Sequence, residues 1–382
     1  PCTDIPMGDG RVVRIVGQVG RGSMATVYRG VYEGPFGVER AVAVKVFDVI
    51  ASDEHDGVLA ALAEAARRSA AVRHPGVVRI EDFGLMGPAQ PYAVEELVEG
   101  RTLADFTSRA ARGGARIPPD LALFVGGEVA DALAAARLAC SSQGVRIGVV
   151  HGELSPCDVL LSWNGEVKVS DFGVAASARA ASSVRSVRAF ARRVRALAPE
   201  VARGQGGDAR SDVFSLGVML RELLVGPRFP SYVSDTEALA WARDGIVHQG
   251  LFEPRLSQPL EAILARALER DPARRYPHAG AMGYELRKVA FAMGSGDGRA
   301  FLRAAMARTF GTGGADDDED EVTGEMSAPR PRPSGMVDRF ARLRGDEGAE
   351  EADRAGDARL ESGTVLAAGA SVDDDDHEAG EG

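Results

Sequence analysis

The chain has only three cysteines in 382 residues, and Cys2, Cys140 and Cys157 show neither paired nor metal-ligand spacing. That argues against a disulfide framework or a thiolate zinc site and suits a reducing cytoplasm. Long apolar runs are also missing. The longest candidate, residues 121–140, is interrupted by Glu128, Asp131 and Arg137 and reads as a buried amphipathic helix. No membrane span is therefore expected within this chain. The start carries no basic-then-apolar signal segment, and no repeat of solenoid length recurs. An excess of positive charge is absent as well. The net charge is −11, and from residue 311 onward 21 acidic residues face 7 basic ones, leaving 35 and 38 in the first 310 residues. A near-neutral body gives no argument for nucleic-acid binding. What the chain does have is 45% hydrophobic residues, enough for a sizeable core in one large or two smaller domains.

Chemistry-bearing residues are densest at 151–173, where H-G-E-L-S-P-C-D-V-L-L is followed, after a short spacer, by S-D-F-G. Glu153 and Asp158 share a loop. Residues 159–161 and 167–169 read as two short strands turned by Trp163-Asn164-Gly165, and Asp171 ends the second, ahead of Phe172-Gly173. Such a hairpin would set three carboxylates on one wall of a cleft, suited to a divalent cation and phosphate.

Upstream, residues 11–19, 25–33 and 40–47 are β-rich with apolar alternation, the last two joined at Gly34-Pro35-Phe36-Gly37 by a hairpin turn. Between the first two runs G-R-G-S-M-A-T-V-Y extends from Gly20 to Tyr28. Glycines there let backbone N–H groups approach a phosphate with no Cβ in the way, although tight hairpins use them too. Lys45 follows Gly22 by 23 residues, inside A-V-A-V-K-V-F. Alone, a strand lysine between Val44 and Val46 reads equally as an edge charge or as a cation in a cleft.

A helix is expected over 52–72, with Asp53, Glu54 and Asp56 favouring its N-terminus. Strands are expected over 77–83 and 92–97, and helices over 102–111 and 119–142, the second started by Pro118-Pro119-Asp120. Further helices are expected from Asp212 to Val225 and over 260–269, 279–293 and 300–310.

In this order and spacing the motifs resemble a bacterial, eukaryotic-like Ser/Thr protein kinase. The resemblance implies an α+β, bilobal fold with a small β-rich N-lobe and a large helical C-lobe over residues 10–293. A short appended helix over 294–310 and, on composition, a disordered acidic tail over 311–382 would follow. It also implies ATP and Mg²⁺. Gly20, Gly22 and Val27 would cover the phosphates, Lys45 would contact them, and Ala43 would line the adenine pocket. Glu96 and Val98 would offer their backbone to adenine, and Asp158 and Asp171 would hold the metal. Glu153 stands in the catalytic-base position. Ser155 replaces the loop lysine of many kinases, and Arg193, five residues before Ala198, would supply the cation that accompanies such a serine. Ala198-Pro199-Glu200 matches the A-P-E that closes the activation segment, Asp212 belongs to the buried helix beneath it, and Arg275 would pair with Glu200 structurally.

Departures from the usual H-R-D-x-K/S-x-x-N fall on the chemical positions. Gly152 replaces Arg, Glu153 the base Asp and Asp158 the metal-binding Asn. An extra methylene moves a carboxylate by about 1 Å, a displacement that costs on the order of 10²-fold. Asp158 still offers oxygen ligands. Without the arginine, regulation by phosphorylation at Ser182, Ser183 or Ser186 through that clamp is not expected.

The expected helix partner of Lys45 is Glu64, ten residues before His74, yet the family pattern places it nine before, at Ala65. That step is about 100° of helix rotation. Either the helix carries a one-residue adjustment or the ion pair is missing. Glu95 falls at the back of the pocket, where an apolar residue or Thr is usual. It either pairs with Lys45, narrows the pocket, or lies on the surface through a register error.

Two functional readings stand: a Ser/Thr protein kinase with weakened transfer, or a pseudokinase binding another protein with or without nucleotide. Small-molecule phosphotransfer is weaker, because A-P-E and the buried large-lobe helix are protein-kinase features. The sequence identifies neither substrate nor partner. Residues 174–199 carry six arginines, and the acidic runs 316–321 and 373–376 either dock on them or keep the tail soluble.

Overall fold

The computed structural model describes residues 4–7, 12–22, 25–48, 55–87, 90–174, 194–230, 232–247 and 256–311. Arg193, the serines at 182, 183 and 186 and the acidic runs lie outside the described residues, as does the expectation of a disordered tail.

Alternating β-branched residues build the N-lobe. Strands β1 (Asp4–Pro6), β2 (Val12–Arg21), β3 (Ala25–Glu33), β4 (Glu39–Phe47), β5 (Ile80–Met86) and β6 (Gln90–Glu96) form one antiparallel sheet in the order β1-β2-β3-β4-β6-β5. Side chains alternate between sheet faces with period two. Val42, Val44 and Val46 of β4 therefore join Val13, Tyr92 and Val94 in one apolar cluster. Ala43, Lys45 and Phe47 take the other face, where Phe47 packs with Ala25, Ala93 and helix α1 (His55–Ala70) through Leu62 and Ala65.

The expected strand over 77–83 begins later, at Ile80. Val77 instead bridges Val169, and the Val78 N–H donates to the Val169 carbonyl at 2.9 Å, so this stretch is committed to the second sheet. That sheet runs β7 (Gly100–Thr102), β8 (Val159–Ser162), β9 (Val167–Val169). A Cβ on Gly100 would lie 1.9 Å from the Leu161 carbonyl oxygen, so only glycine allows the β7–β8 approach.

Helix α2 (Leu103–Arg112) starts at Thr102, whose hydroxyl accepts from the Asp105 N–H. Helix α3 (Pro119–Arg137) stops short of the expected residue 142. The Leu138 and Ala139 N–H groups turn back to the Ala135 and Ala136 carbonyls, and Cys140 bridges Arg146 across the turn at Gly144. Then come α4 (Pro199–Ala202), α5 (Ala209–Val225), α6 (Asp235–Arg243), α7 (Gln258–Ala267), α8 (Ala279–Ala292) and α9 (Gly298–Phe310).

The large core lies between α3 and α5, with Val125, Val129 and Leu133 against Leu216, Met219 and Leu220. Helix α8 adds Met282 and Leu286, and α9 adds Leu302 and Met306. The last helix also seats Phe310 edge-on to Trp163 at 5.9 Å, with Arg101 and Arg109 over its ring. Among the described residues no helix is long and apolar enough to cross a membrane.

Candidate active site

One wall of the interlobe cleft is a sheet face whose register is fixed. Val27 pairs with Lys45, Lys45 with Ala93, and Ala43 with Glu95, so these side chains share one face. Glu96 falls on the opposite face, opposite Val42. Its carboxylate accepts from Lys168 at 2.9 Å and from the Arg79 N–H at 3.1 Å. The side chain of Glu96 is thus engaged away from Ala43, and Glu95 is not a surface residue displaced by a register error. Glu95 and Val98 are both half-buried. Gly20 stands opposite Val27, and the Gly22 N–H closes the β2–β3 turn on the Ala25 carbonyl at 2.8 Å. The Gly22 donor is therefore engaged within the turn.

Lys45 forms an ion pair with Asp171, their side chains 13% and 12% exposed. Burial works against the ammonium, but Asp171, Glu95 and Asp158 outweigh it and hold its pKa above the ordinary lysine value. Asp171 has φ 65°, a left-handed backbone uncommon outside glycine, though aspartate is among the residues that tolerate it. Here Phe172 is fully buried, its ring 5.0 Å from that of His151, and the Gly173 N–H donates to the His151 carbonyl at 3.2 Å.

The facing wall is the loop before β8. Buried Asp212 of α5 accepts from the N–H groups of His151 at 2.9 Å and Gly152 at 2.8 Å. Burial raises the Asp212 carboxyl pKa, with His151 and these two bonds pulling the other way. Gly152 has φ 82, which gives its replacement of arginine a backbone consequence: the loop turns here through a conformation that favours glycine.

Glu153, Ser155 and Asp158 are at most 3% exposed. The Ser155 N–H and hydroxyl both donate to Asp158 Oδ2, at 2.9 and 2.7 Å, and the Asp158 carbonyl accepts from the Ser170 N–H at 2.9 Å. Ser155 therefore braces Asp158, a contact the sequence reading did not foresee.

Among the described residues no three His, Cys, Asp or Glu side chains gather into one metal-holding group. The expected wall of three carboxylates is corrected accordingly: Asp171 is engaged with Lys45, and Asp158 with Ser155. Asp158 and Asp171 remain two hard oxygen donors whose charges both favour the Lys45 ammonium. That suits Mg²⁺, which binds through one or two carboxylates plus phosphate oxygens.

On α1, Glu64 pairs with Arg67 at 2.9 Å on an exposed face, while Ala65 is 2% exposed against the sheet. Among the described residues no α1 carboxylate joins the Lys45 pair. Only three of the 45 basic residues are lysines, and two of them form half-buried ion pairs, Lys45 in this cleft and Lys168 with Glu96 on the other sheet face. That scarcity was the sequence signal for Lys168.

A family model described as protein tyrosine and serine/threonine kinase matches residues 13–281. Similar curated proteins include a probable serine/threonine-protein kinase PknB from Lactococcus lactis, 33% identical over 265 residues, 69% of this chain and 39% of that protein. Serine/threonine-protein kinase PknB from Mycobacterium leprae is 32% identical over 259 residues, 66% of this chain and 39% of that protein. The chain thus spans about two-fifths of the length of these relatives. Among solved structures, the PknI kinase domain of Mycobacterium tuberculosis matches with a TM-score of 0.52 at 23% identity, over 74% of this chain and 97% of that one. At that identity the likeness is one of fold. The family follows from the sequence match together with the paired Lys45 and Asp171: the chain belongs to the bacterial Ser/Thr protein kinases.

Proposed function

We propose that this chain binds ATP with Mg²⁺ between its lobes and transfers the γ-phosphate slowly to Ser or Thr of a protein. The observation that carries this reading is the Lys45–Asp171 pair, joined from 126 residues apart. Phosphoryl transfer asks a protein mainly to position groups and to neutralise charge. Lys45 places a buried ammonium for the phosphates, across the sheet from Val27 and Gly20. Ala43 and the backbone of Glu96 and Val98 border the purine. Asp158 and Asp171 would hold Mg²⁺, which offsets the charge on the phosphate oxygens. Ser155 keeps Asp158 in place, and Glu153 accepts the proton of the attacking hydroxyl. Arg193 is assigned to the charge beside that hydroxyl on the resemblance alone. The names of the curated relatives, all Ser/Thr protein kinases, support the reaction class. Exposed Cys140 and Cys157 suit the reducing cytoplasm that the reading assumes.

A second reading, a pseudokinase scaffold, is favoured by the absence, among the described residues, of an α1 carboxylate from the Lys45 pair. One sample separates the two. ATP with Mg²⁺ at a hundredfold excess over Kd should stabilise the fold by about 2.7 kcal/mol, read as a rise in Tm. Lys45→Met and Asp171→Asn should each remove most of that rise. A rise without phosphate incorporation favours the nucleotide-bound scaffold; no rise at millimolar ATP leaves the nucleotide-free one.

A further inference from the structure

Glu95 is a half-buried carboxylate on the cleft face of the sheet that the reaction scheme leaves unused. It sits directly across from Ala43, while Lys45 sits across from Ala93. Lys45 and Glu95 are therefore diagonal neighbours on the same face. Diagonal pairs lie about 7–8 Å apart at the backbone, within reach of two long side chains. Glu95 follows only Asp171 among the charges that favour the Lys45 ammonium. Burial pushes the Glu95 carboxyl up to about 7, with Asp171 and Glu96 adding to the rise and Lys45 opposing it.

Among its described side chains helix α1 offers nothing comparable. The residues it buries against the sheet are Leu62 and Ala65, and Glu64 points outward to Arg67. The other carboxylates acting on Lys45 are Asp171 and Asp158. If those two turn to a metal ion, Lys45 keeps a counter-charge only from its own sheet.

We propose that Glu95 is a positioning residue for Lys45, supplying from β6 the counter-charge that no described α1 side chain gives and keeping the ammonium in the cleft when Asp171 engages a metal ion. A carboxylate on a neighbouring strand is fixed to Lys45 by ladder hydrogen bonds. It cannot swing away as a helix held by side-chain packing can, so the pair is built in and not switched by movement of α1. The metal-bound half of this inference rests on the function proposed above; the pairing itself does not.

The pairing is tested without nucleotide. Lys45→Met, Glu95→Gln and the double variant form a cycle measured by urea unfolding. Direct pairing predicts non-additive effects, with at least a five-fold coupling in the unfolding equilibrium constant; additivity within two-fold overturns it. Calorimetry with Mg²⁺ and ATP then reads the functional half. Glu95→Gln should weaken binding about ten-fold, and Glu95→Asp, which keeps the charge, should stay within three-fold of the natural protein. Equal affinities for Gln and Glu, or equal losses for Gln and Asp, would overturn the positioning role. Absence of binding in the natural protein would defeat the nucleotide reading, while the unfolding cycle still decides the pairing.

Discussion

Arg275→Ala is expected to cost the fold about 3–5 kcal/mol, the range found when one partner of a buried ion pair is removed. The Arg275 side chain is fully buried, and its two terminal nitrogens donate to the two Glu200 oxygens at 2.7 and 2.8 Å. The remaining donors reach the carbonyls of Glu269, Arg210 and Arg270, and the guanidinium lies 4.8 Å from the centre of the Phe214 ring. Truncation takes one donor from each of three carbonyls and leaves Glu200 buried with the Ser211 hydroxyl, at 2.7 Å, as its side-chain donor. Urea unfolding followed by Trp163 and Trp241 fluorescence measures the loss. The double variant Arg275→Met/Glu200→Gln should recover part of it, because no uncompensated charge remains.

The same pair sets a pH dependence. Burial alone would raise the Glu200 carboxyl, but the bonds from Arg275 and Ser211 outweigh it and hold its pKa below the ordinary glutamate value. A depressed carboxyl contributes stability that is fully present above its unfolded pKa, about 4.3, and is lost as pH falls through the folded value. Glu200→Gln should therefore be less stable near neutrality yet flatter toward acid. Asp212 has the opposite sign. Its pKa is raised, so its contribution is present at low pH and lost as pH rises through the folded value. A profile of Glu200→Gln as steep as the natural protein's below pH 5 would contradict the assignment.

What could be read from the sequence was what a single segment encodes. The run 25–33 alternates with period two and is strand β3 with those bounds; the 3.6-residue pattern of 279–293 is helix α8, one residue shorter. Motif order gave the fold and the Glu200–Arg275 pair. Contacts made between segments were harder to read. Residues 77 and 78 have the composition of a strand start, and only their bonds to Val169 show that they join the other sheet. A single helix step separated Glu64 from Ala65, and burial against the sheet decided it. The brace from Ser155 to Asp158 depends on a turn whose geometry residue types do not specify. For Glu95 pairing with Lys45, narrowing of the pocket and a surface position all stayed open, because its relation to Lys45 is a matter of strand register.

The second large effect is expected at Glu153, where removing one methylene should raise the transfer rate. Loop anchors fix where this side chain begins. The N–H groups of His151 and Gly152 are held by Asp212 on one side, and that of Ser155 by Asp158 on the other. The loop has little freedom to retract and compensate for a longer residue, so the carboxylate of Glu153 stands about 1 Å beyond the place an aspartate would occupy. A misplacement of that size costs on the order of 10²-fold. Glu153→Asp should therefore increase initial rates of phosphate transfer at saturating ATP by ten-fold or more. Because Glu153 is 3% exposed, the shortened side chain leaves a small void, and a stability loss of about 1 kcal/mol should accompany the gain. Faster transfer by a less stable protein is an outcome that a purely structural Glu153 would not give. Asp158→Asn in the same chain should add to the rate, since it restores the usual metal-binding residue and removes a negative charge near the phosphates. An inert double variant with its ATP-dependent Tm rise intact would move the lesion from the loop to the α1 position, where Ala65 stands and Lys45 finds no carboxylate.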